Sequence, residues 1–594
     1  MIEQATAVPP RRAIQTLASR LAAALGGERA ETGAAISWTG PAGFPEDRPW
    51  SEATIQALSG LMQVHGRDAG RPRRLGLDVA SVAAGVLAAQ GVLAAEIGRL
   101  RGRPVPTVRT SVLQAALVIQ SHYFVVATGL GDAVPGPGLP APGPPFRSAD
   151  GHWFEIETLD PDAWKAFWER LGAGGAPLGR AWTIFRWRYE RAACSLPAEL
   201  HEATARRRLA DLEHLAAETG VSLMALRTHA DLLADPRLAS SRPRVTPVAP
   251  DGGGENATAT AAAAPAAATG TGLPLEGVRV VEATSRIQGP MAGMLLRMLG
   301  ASVVRVKPPE GDYGRAALCL HRQKDEVVLD LATPGDRDGL ADLVAGADVF
   351  LHNWRPGKAA EWGLDVDDLV GRRPGLVHAT SSGWGDGPGA PRALGTDFLV
   401  QAHTGLGQGL NPHDEPPFPS RVILGDLFGA LVGTEAVLTG LHRRLRHGGA
   451  WAVRSSLLAG AMALQADVLE PRAGGDAGGR VDGRPRWGPL DRPLLTAEGW
   501  LVLGLDDDPA FRRLCRVVDV DPDAASRAAT EARLVARLGE GGAAGWEPRL
   551  AAAGVPCAVA PDDLAAVPAD PRMAALFEPV GTGGLAPRSP WSFA

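Results

Sequence analysis

Asp426 is the residue whose setting most suggests chemistry. It follows an apolar run at 422–424 and precedes a long apolar pattern of helical spacing over 427–445. A carboxylate where a helix begins can accept the unpaired N–H groups of the first turn, so a structural helix cap is one interpretation. The helix N-terminus also favours the ionised form, and an ionised carboxylate that faces a cleft can act as a nucleophile, which is the other interpretation.

The composition is that of an ordinary globular chain. Its 594 residues are too many for one core and predict about three or four domains. Hydrophobic residues make up 45% and charged residues 21%, and a net charge of -6 argues against nucleic acid as a partner. Four widely spaced cysteines show no metal-ligand spacing, which predicts free thiols, no metal site and a reducing cytoplasmic location. We find no signal-peptide pattern and no run of 18 uncharged apolar residues, and therefore expect no membrane span.

The chain is internally duplicated. The matching blocks, separated by about 335 to 348 residues, are 56–61 with 401–406, 74–78 with 422–426, 108–113 with 453–458, 148–153 with 496–500, and 235–237 with 570–572. Two long copies indicate a duplicated unit and not a solenoid. The second of these matches predicts that Asp78 stands where the later copy has Asp426. Separately, Glu52 is predicted to stand where the later copy has Asp397, and Asp78 is predicted to be a retained helix cap.

The two copies are unequal in length. In the region 274–392 strand patterns alternate with helix patterns, whereas the first copy has only the short segment 1–47 there. Such alternation predicts an α/β fold with a Rossmann-like, doubly wound parallel sheet in a large domain, beside a smaller α+β domain. The predicted domains are a truncated first copy at 1–245 (a helical large-domain segment at 1–125 and a small domain at 140–243), a flexible Ala/Gly/Pro linker at 246–273, a large domain at 274–465, a small domain at 466–575 and a C-terminal return segment at 576–594.

Three loops should lie where such a sheet binds its ligands. Ligands bind at the carboxyl ends of the strands, and the loops 285–290, 308–315 and 353–357 follow predicted strands. Neither a dinucleotide fingerprint nor a P-loop sequence occurs there, which argues against both kinds of site. Four cations on or near these loops could grip phosphate groups: Arg315, Arg322, Lys324 and Arg355. The alternative interpretation is that they are exposed surface charges.

Aromatic residues cluster in the first small domain. Trp164 and Trp168 have helical spacing and are expected in the core of that domain. Phe185, Trp187 and Tyr189 alternate along the chain, which predicts one face of a strand.

Ordered blocks along the chain resemble the class III CoA-transferases, the CaiB/BaiF-type family of formyl-CoA transferase and carnitine CoA-transferase. The blocks are Gly289-Pro290, Leu299-Gly300-Ala301, 309–312 with Arg315, Arg322 with Lys324, Leu329-Asp330-Leu331, Asn353 with Arg355, 383–388, Asp397, Gln401 with Gly405, and Gly425-Asp426. The resemblance covers 274–594 and, in truncated form, 48–243. It is specific for the family, whereas the reaction stays open, because racemases and isomerases of acyl-CoA thioesters share this fold.

The resemblance implies a role for each matching position. Asp426 is implied to be the nucleophile, which forms a mixed anhydride with the acyl group and then a thioester with coenzyme A. The implied substrates are an acyl-CoA thioester and a small carboxylic acid, with no permanently bound cofactor, metal, nucleic acid or membrane partner. The implied substrate-binding and CoA-binding residues are Gln288, Gly289, Pro290, Asp312, Arg315, Arg322, Lys324, Asn353, Arg355, Thr396, Asp397 and Gln401.

The duplication takes a specific meaning from this resemblance. Family members form interlocked dimers with active sites between two subunits, so we expect this chain to fold as a pseudo-dimer whose first copy closes the site of the second. A further homodimer stays open. Glycine-rich loops at 474–479 or 483–488 are candidates for the N–H groups that stabilise an oxyanion.

Two other functions stay open from the sequence. An acyl-CoA racemase or isomerase would use the same fold, but Thr396 stands where the racemase branch has a histidine, which removes one base and favours the transferase. A non-catalytic CoA-binding protein is the third interpretation, because the first copy lacks most of the sheet. The donor and acceptor acids are not identified by the sequence.

Overall fold

The computed structural model describes most of the 594 residues. The described residues are 9–45, 47–129, 142–235, 241–248, 272–312, 314, 316–387, 390–469, 480–523, 526–581 and 583–594. The predictions for Arg315, for the loop 474–479 and for most of the linker (249–271) lie outside them.

The helices are distributed along the whole described chain. They are α1 Arg11–Ala24, α2 Glu52–Leu58, α3 Leu61–His65, α4 Val79–Leu100, α5 Val112–Ile119, α6 Ser121–Gly129, α7 Pro161–Arg170, α8 Ala176–Arg191, α9 Ala198–Ala205, α10 Leu209–Thr219, α11 His229–Leu233, α12 Gln288–Met298, α13 Ala316–Leu320, α14 Pro334–Ala345, α15 Lys358–Glu361, α16 Val366–Val370, α17 Asp397–His403, α18 Leu406–Leu410, α19 Leu424–His447, α20 Leu457–Leu464, α21 Ala466–Leu469, α22 Asp508–Val518, α23 Arg527–Gly539, α24 Ala543–Ala552 and α25 Ala566–Ala569.

The strands form one large sheet and several small ones. They are β1 Gly33–Ser37, β2 Thr107–Ser111, β3 Phe146–Arg147, β4 Trp153–Glu157, β5 Ser222–Ala225, β6 Arg244–Pro247, β7 Arg279–Ala283, β8 Ser302–Lys307, β9 Asp325–Val328, β10 Val349–His352, β11 Val377–Ser382, β12 Trp451–Ser456, β13 Arg480–Val481, β14 Arg484–Pro485, β15 Leu494–Leu495, β16 Trp500–Leu503, β17 Cys557–Ala560, β18 Phe577–Val580, β19 Gly584–Pro587 and β20 Ser592–Phe593.

The largest sheet lies in the second copy. Its strand order is β6-β12-β11-β10-β7-β8-β9, and every neighbouring pair is parallel except β12 with β6. Helices alternate with its strands along the chain, because a parallel connection must return to the same end of the sheet. The strand order reverses between β7 and β10. The α/β class with a mixed, mainly parallel sheet is therefore confirmed.

A smaller sheet in the first copy has the same layout at one end. Its order is β1-β2-β20, with β1 and β2 parallel and β20 antiparallel to β2. The large sheet ends in the same way, with β11 and β12 parallel and β6 antiparallel to β12. The antiparallel edge strand comes each time from the end of the other copy. The two copies are thus tied together by exchanged edge strands.

Each copy also has a small three-stranded sheet covered by helices. β3, β4 and β5 form the first of these sheets, and β15, β16 and β17 form the second. The prediction of a strand through Phe185 and Tyr189 is wrong, because both residues lie in helix α8. Phe185 packs against Trp164 in the core of this domain, with ring centroids 4.5 Å apart. Tyr189 follows one helical turn later on the same side of α8, whereas Trp187 lies on another side.

Helices α4 and α19 form the centre of the molecule and pack against one another. Both are long and apolar enough to cross a membrane by length and composition, yet the apolar window of each is completely buried inside the protein. The Gln90 Nε2 group of α4 donates a hydrogen bond of 2.7 Å to the Leu431 carbonyl of α19. Other elements cover their remaining faces, α1 and α5 around α4 and α12 and α20 around α19, which accounts for their apolar character on all sides.

Candidate active site

Asp426 lies inside the first turn of α19 and not at its cap. The helix begins at Leu424, and the capping position belongs to Ile423, whose side chain makes no capping hydrogen bond. The interpretation of Asp426 as a helix cap is therefore wrong. Asp426 is buried, with 8% of its surface exposed.

Asp397 takes the capping role at this turn. Its Oδ1 atom accepts a hydrogen bond of 3.0 Å from the Asp426 N–H, and its Oδ2 atom accepts one of 2.6 Å from Gln401 Nε2. Gly425 has no room for a side chain, because Asp397 Oδ1 would lie 2.8 Å from its Cβ. The close approach of Asp397 to this turn thus explains the glycine before Asp426.

Gln401 fixes the segment that leads into α19. Its Nε2 group donates to the carbonyl groups of Ser420 (3.2 Å) and Val422 (3.0 Å), and its Oε1 atom accepts from the Ser420 N–H (2.9 Å). One amide side chain therefore satisfies three backbone groups of a turn that has no other secondary structure. The predicted site residues Asp397 and Gln401 hold Asp426 in place.

The electrostatics of Asp426 are those of a buried and partly compensated carboxylate. Burial raises its pKa to about 7, while the nearby Arg286 and a hydrogen bond from the Gln288 N–H lower the pKa and Glu157 raises it. The pKa of Asp397 is raised well above its ordinary value, first by burial and then by Asp426. The two carboxyl groups consequently titrate as an interacting pair.

Gln288 contributes a backbone donor and a buried side chain. It is the first residue of α12, and its N–H group reaches Asp426. Its Nε2 group is buried and makes no hydrogen bond within the described part of the chain. That group would lie 2.9 Å from a Cβ on Gly429, one turn after Asp426. The predicted residues Gly289 and Pro290 follow in the same buried first turn of α12.

The first copy adds residues that sequence reasoning missed. Glu157, at the end of β4, acts on Asp426 electrostatically. Its Oε2 atom forms an ion pair of 2.9 Å with Arg188 and a hydrogen bond with the Tyr189 hydroxyl. The Arg286 guanidinium lies 5.0 Å from the centre of the Tyr189 ring. A glutamate within a buried strand pattern was the signal in the sequence that could have identified this cluster.

A second ion pair crosses between the copies beside it. Arg421, five residues before Asp426, is bonded through Nη2 to Glu155 of β4 at 2.6 Å and to the Pro144 carbonyl at 2.6 Å. Both side chains are buried. Glu155 and Glu157 therefore connect the small domain of the first copy to the neighbourhood of Asp426.

Shared hydrogen bonds fix the register between the two copies. Gln56 donates to the carbonyl groups of Leu75 and Leu77, as Gln401 does to Ser420 and Val422, and every partner recurs 345 residues later. The capping residues of α4 and α19 follow the same register: Asp78 has φ -78° and ψ 58°, and Ile423 has φ -77° and ψ 62°. Asp78 therefore corresponds to Ile423.

This register corrects the prediction that Asp78 stands in the place of Asp426. The counterpart of Asp426 is Ser81, whose N–H and hydroxyl groups both donate to Glu52 Oε2, at 2.9 and 2.6 Å. Asp78 occupies the capping position of α4, but its side chain makes no capping hydrogen bond. Glu52 caps that helix, as Asp397 caps α19, which confirms the predicted match between these two acids.

The equivalent position in the other half of the pseudo-symmetric pair has no carboxylate like Glu157. Strand pairing equates Phe154 of β4 with Leu501 of β16, so the counterpart of Glu157 is Gly504. A Cβ on Gly504 would lie 2.0 Å from Ser51 Oγ, next to Glu52. The backbone at Gly504 thus packs directly on Ser51, at the position that corresponds to Glu157. The loop 483–488 lies on this side too, with Trp487 beneath the Arg74 guanidinium at 5.3 Å.

A cavity of about 330 Å³ opens at the carboxyl ends of β7, β8 and β10. Its lining consists of Ala283, Thr284, Ser285, Val306, Pro308, Pro309, Glu310, Leu329, Asp330, Leu331, Ala332, Asn353, Trp354 and Trp362. Asn353 therefore lies where the sequence predicted a ligand, and Arg355 is exposed two residues further on. The segment 283–288 runs from this cavity to Asp426.

Lys324 and Arg322, which were also predicted to bind phosphate, instead bind groups within the protein. Lys324 is completely buried and forms an ion pair of 2.7 Å with Glu282. Arg322 Nη2 donates to the Pro587 carbonyl at 2.8 Å, and Asp312 is paired with Arg305 at 2.8 Å. The structure thus differs from the phosphate-gripping prediction, because a buried charge needs an internal partner and the sequence did not reveal these partners.

The last two predictions concern Thr396 and metal binding. Thr396 immediately precedes α17 and is buried, and its hydroxyl group makes no hydrogen bond within the described residues. In the portion of the chain that the structure describes, no group of three or more His, Cys, Asp or Glu side chains could hold a metal ion.

Comparison with known proteins identifies the class. The family model described as "CoA-transferase family III" matches residues 34–271 and again residues 275–576. The chain belongs to CoA-transferase family III, and it carries the family sequence twice.

Particular relatives match only a portion of the chain. A succinyl-CoA:glutarate CoA-transferase of Mus musculus is 29% identical over 267 residues, which are 42% of this chain and 60% of that protein. A succinyl-CoA–D-citramalate CoA-transferase of Chloroflexus aurantiacus is 32% identical over 262 residues, or 41% of this chain and 65% of that protein. A solved CaiB/BaiF family protein from Brucella suis is 25% identical and covers 53% of this chain and 96% of that chain, with a TM-score of 0.45. The chain thus spans less than two thirds of the length of these first two relatives.

Proposed function

We propose that this protein transfers coenzyme A from an acyl-CoA thioester to a carboxylic acid, with Asp426 as the nucleophile. The observation that carries the proposal is the placement of Asp426. Asp426 accepts a hydrogen bond from the Gln288 N–H and is near the cation Arg286. Both of these residues belong to the segment that leads from the cavity beside β7. A carboxylate in such a position can be acylated and released again.

The first step forms a mixed anhydride. An ionised Asp426 oxygen attacks the thioester carbonyl carbon, the C–S bond breaks, and coenzyme A leaves as a thiolate. Negative charge develops on the thioester oxygen during the attack, and N–H groups that point at that oxygen lower the barrier. The buried side-chain amide of Gln288 is a donor of the required kind, since it has no hydrogen-bond partner within the described residues.

The second step transfers coenzyme A to the enzyme. The thiolate attacks the Asp426 carbonyl carbon of the anhydride, which releases the first acid as a carboxylate and leaves an aspartyl-CoA thioester. The acceptor carboxylate then attacks this thioester, and the same two steps run in reverse. Atoms and charge balance without an external reagent, because one acid leaves and one acid enters.

The architecture supports this assignment. The order β9-β8-β7-β10-β11-β12 runs outward in both directions from β7 and β10, which is the strand order of a Rossmann-like, doubly wound sheet. Ligands of such sheets lie at the point of reversal, where the cavity beside Asn353 and Trp354 is found. We assign the nucleotide end of coenzyme A to this cavity and the thioester end to Asp426.

We further propose that the chain is a pseudo-dimer with one reaction centre. The exchanged edge strands β6 and β20 link the copies, and Glu157 of the first copy faces Asp426 of the second. The predicted domain limits given above describe this arrangement, with 1–245 as the truncated partner. Among the residues that the structure describes, the sheet of the first copy has no counterparts of β7 to β10.

A panel of acyl-CoA donors and carboxylic acid acceptors tests the proposal. Relatives are named for succinyl-CoA, glutarate and citramalate, so dicarboxylic acids belong in the first panel. We expect acyl exchange with at least one donor and acceptor pair, and no exchange by Asp426→Asn. Thioester binding without exchange for any pair would contradict the proposal and favour a non-catalytic protein.

The racemase alternative has a separate signature. It requires two bases at the α-carbon, and Thr396 stands in the place of one of them. We expect no exchange of the α-proton of an acyl-CoA in deuterated water when no acceptor acid is present. Rapid exchange under these conditions would identify a racemase or isomerase.

A further inference from the structure

Residues 284–290, here called the approach loop, join β7 to the first turn of α12. The loop brings both Arg286 and the Gln288 N–H to Asp426. Its backbone is strained, because Arg286 has a φ angle of 70°, in the left-handed region that side chains other than glycine disfavour. Such a conformation persists only where the surrounding structure holds it, and it often marks a functional site.

Asn353 holds the beginning of the approach loop. Its Oδ1 atom accepts a hydrogen bond of 3.0 Å from the Ser285 N–H, and its Nδ2 group donates one of 2.8 Å to the Ser285 carbonyl. Both backbone groups of the residue before Arg286 are thereby fixed.

A buried ion pair holds the remainder of the loop. Lys324 Nζ lies 2.7 Å from Glu282 Oε2 and donates a hydrogen bond of 2.8 Å to the Pro290 carbonyl, at the far end of the loop. Glu282 Oε1 accepts a hydrogen bond of 2.8 Å from the Thr284 hydroxyl, at the near end. Lys324 and Glu282 together therefore connect both ends of the loop.

Two glycines, Gly289 and Gly293, leave room for this pair and for Thr284. A Cβ on Gly293 would lie 1.7 Å from Glu282 Oε2 and 3.0 Å from Lys324 Nζ. A Cβ on Gly289 would lie 2.5 Å from the Thr284 Cβ. Both charged side chains have no exposed surface, so the pair is too deep to touch a substrate. A buried ion pair is also weak as a stabilising device compared with apolar residues of equal volume, so its directional bonds need another explanation.

We propose that the Lys324–Glu282 pair is a positioning device that holds the approach loop so that the Gln288 N–H and Arg286 meet Asp426. The inference rests on the proposed function of Asp426. Lys324 is a positioning residue and not a phosphate ligand, since it acts through the Pro290 carbonyl and through Glu282. The structure thus gives the matching family position a different task from the one that the sequence suggested.

The double variant Glu282→Gln/Lys324→Met tests the proposal without leaving one buried charge unpaired. A matched control is Arg48→Met/Glu547→Gln, because Arg48 is also paired with a buried glutamate (2.8 Å) and also donates to a carbonyl group, that of Cys557 (2.8 Å). Each full-length protein is assayed for its thermal midpoint, for acyl-CoA binding, and for kcat as a function of pH. Wild-type protein sets the reference.

We expect the Lys324 double variant to lose kcat by about tenfold to a hundredfold, since a misplacement of about 1 Å at a reacting group has this effect. The acid limb of its pH profile, which is the range of low pH where kcat falls, should also move to higher pH. The reason is that a hydrogen bond that favoured the ionised form of Asp426 is weakened. The control should lose thermal stability alone. Equal kcat and an equal acid limb in both double variants would overturn the proposal.

Two further measurements keep the outcomes distinguishable. If the double variant does not fold, Thr284→Val removes only the hydroxyl bond to Glu282 and should shift kcat and the acid limb in the same directions. An unchanged Thr284→Val then contradicts the positioning role. Absence of acyl exchange in the wild-type protein would instead refute the proposed function itself.

Discussion

The proposed mechanism requires Asp426 to combine burial with ionisation. Asp426 needs a dry environment, where N–H groups act strongly on developing charge, yet the same dryness opposes the carboxylate form. The structure offsets that cost with Arg286 and the Gln288 N–H, while Glu157 acts in the other direction. The resulting pKa of about 7 places the change of charge in the physiological range. A poised carboxylate of this kind is typical of an active site.

A pH profile checks this balance. The proposed nucleophile is the ionised form of Asp426, so kcat/KM should rise with pH and reach a plateau above the pKa of Asp426, which is about 7. An ordinary exposed aspartate would instead be fully active from about pH 5 upward. Steady-state rates between pH 5 and 9 decide between the two. A plateau that begins near pH 5 would contradict the assigned environment of Asp426.

Asp426→Asn should abolish the proposed acyl exchange and stabilise the fold. The pKa of Asp426 is raised in the folded state above its ordinary value of 3.8, so the folded protein holds this proton between about pH 4 and 7 while the unfolded chain has lost it. The contribution of Asp426 to stability therefore falls as pH rises through this window. Above pH 7 the ionised carboxylate costs about 4 kcal/mol, at the scale of 1.36 kcal/mol per pKa unit. The thermal midpoint of Asp426→Asn should exceed that of the wild type more at pH 8 than at pH 5; a constant difference would contradict the prediction.

At the scale of elements, the equivalent turns into α4 and α19 carry different side chains at the position of Asp426. Gln401 and Asp397 fix the turn into α19, and Gln56 and Glu52 fix the turn into α4 with the same pattern of hydrogen bonds. Only the second turn presents a carboxylate, since Ser81 stands where Asp426 would be. The supporting structure has been kept in both copies, whereas the reactive group exists in one.

This equivalence supplies a matched pair of variants. Gln401→Leu leaves the Ser420 and Val422 carbonyl groups unpaired and should lower both kcat and stability, because the Asp426 turn loosens. Gln56→Leu removes the same bonds from the other turn and should cost a similar free energy of unfolding, about 1–3 kcal/mol for unpaired buried groups, with kcat unchanged. Thermal midpoints and initial rates measure both effects. Equal losses of kcat in the two variants would show that the turn into α19 has no special role.

The sequence predicted the elements better than the partners of their side chains. The alternating strand and helix patterns over 274–392 predicted the mainly parallel sheet, because a buried parallel strand has a local apolar signature. The strand expected at Phe185 was wrong, since Phe185 and Tyr189 are one helical turn apart on the same side of α8, and Trp187 between them only imitates the alternation of a strand. The register error at Asp78 arose because Asp78 was matched to Asp426 from the local sequence alone, whereas hydrogen bonds between distant segments decide the register. Lys324 was misassigned for the same reason, as its partner Glu282 lies 42 residues away.

At the scale of the molecule, the two copies contribute different parts of the candidate site. The second copy supplies the large sheet, the cavity and Asp426, and the first copy supplies Glu157, Arg188 and Tyr189 across the interface. Helix α4 covers α19, whose apolar surface would otherwise be open to water. Fusion of the copies into one chain keeps them together at any protein concentration.

Residues 274–594 alone should therefore be poorly soluble or inactive. Removal of the first copy exposes the face of α19 that packs on α4 and takes away β6 and the Glu157 cluster. Size-exclusion chromatography and the acyl exchange assay report the two properties. Addition of residues 1–245 as a separate chain is the control and should restore some of the activity. A monodisperse, fully active fragment would refute the pseudo-dimer.

The most direct measurement is chemical trapping of the acylated enzyme. The full-length protein is incubated with an acyl-CoA donor and hydroxylamine, which converts an activated aspartyl group to a hydroxamate, and the peptides are analysed by mass spectrometry. The proposed mechanism predicts one modified residue per chain, Asp426, with no modification at Asp78. Loss of activity without modification of Asp426, or modification of Asp78 in its place, would contradict the central claim.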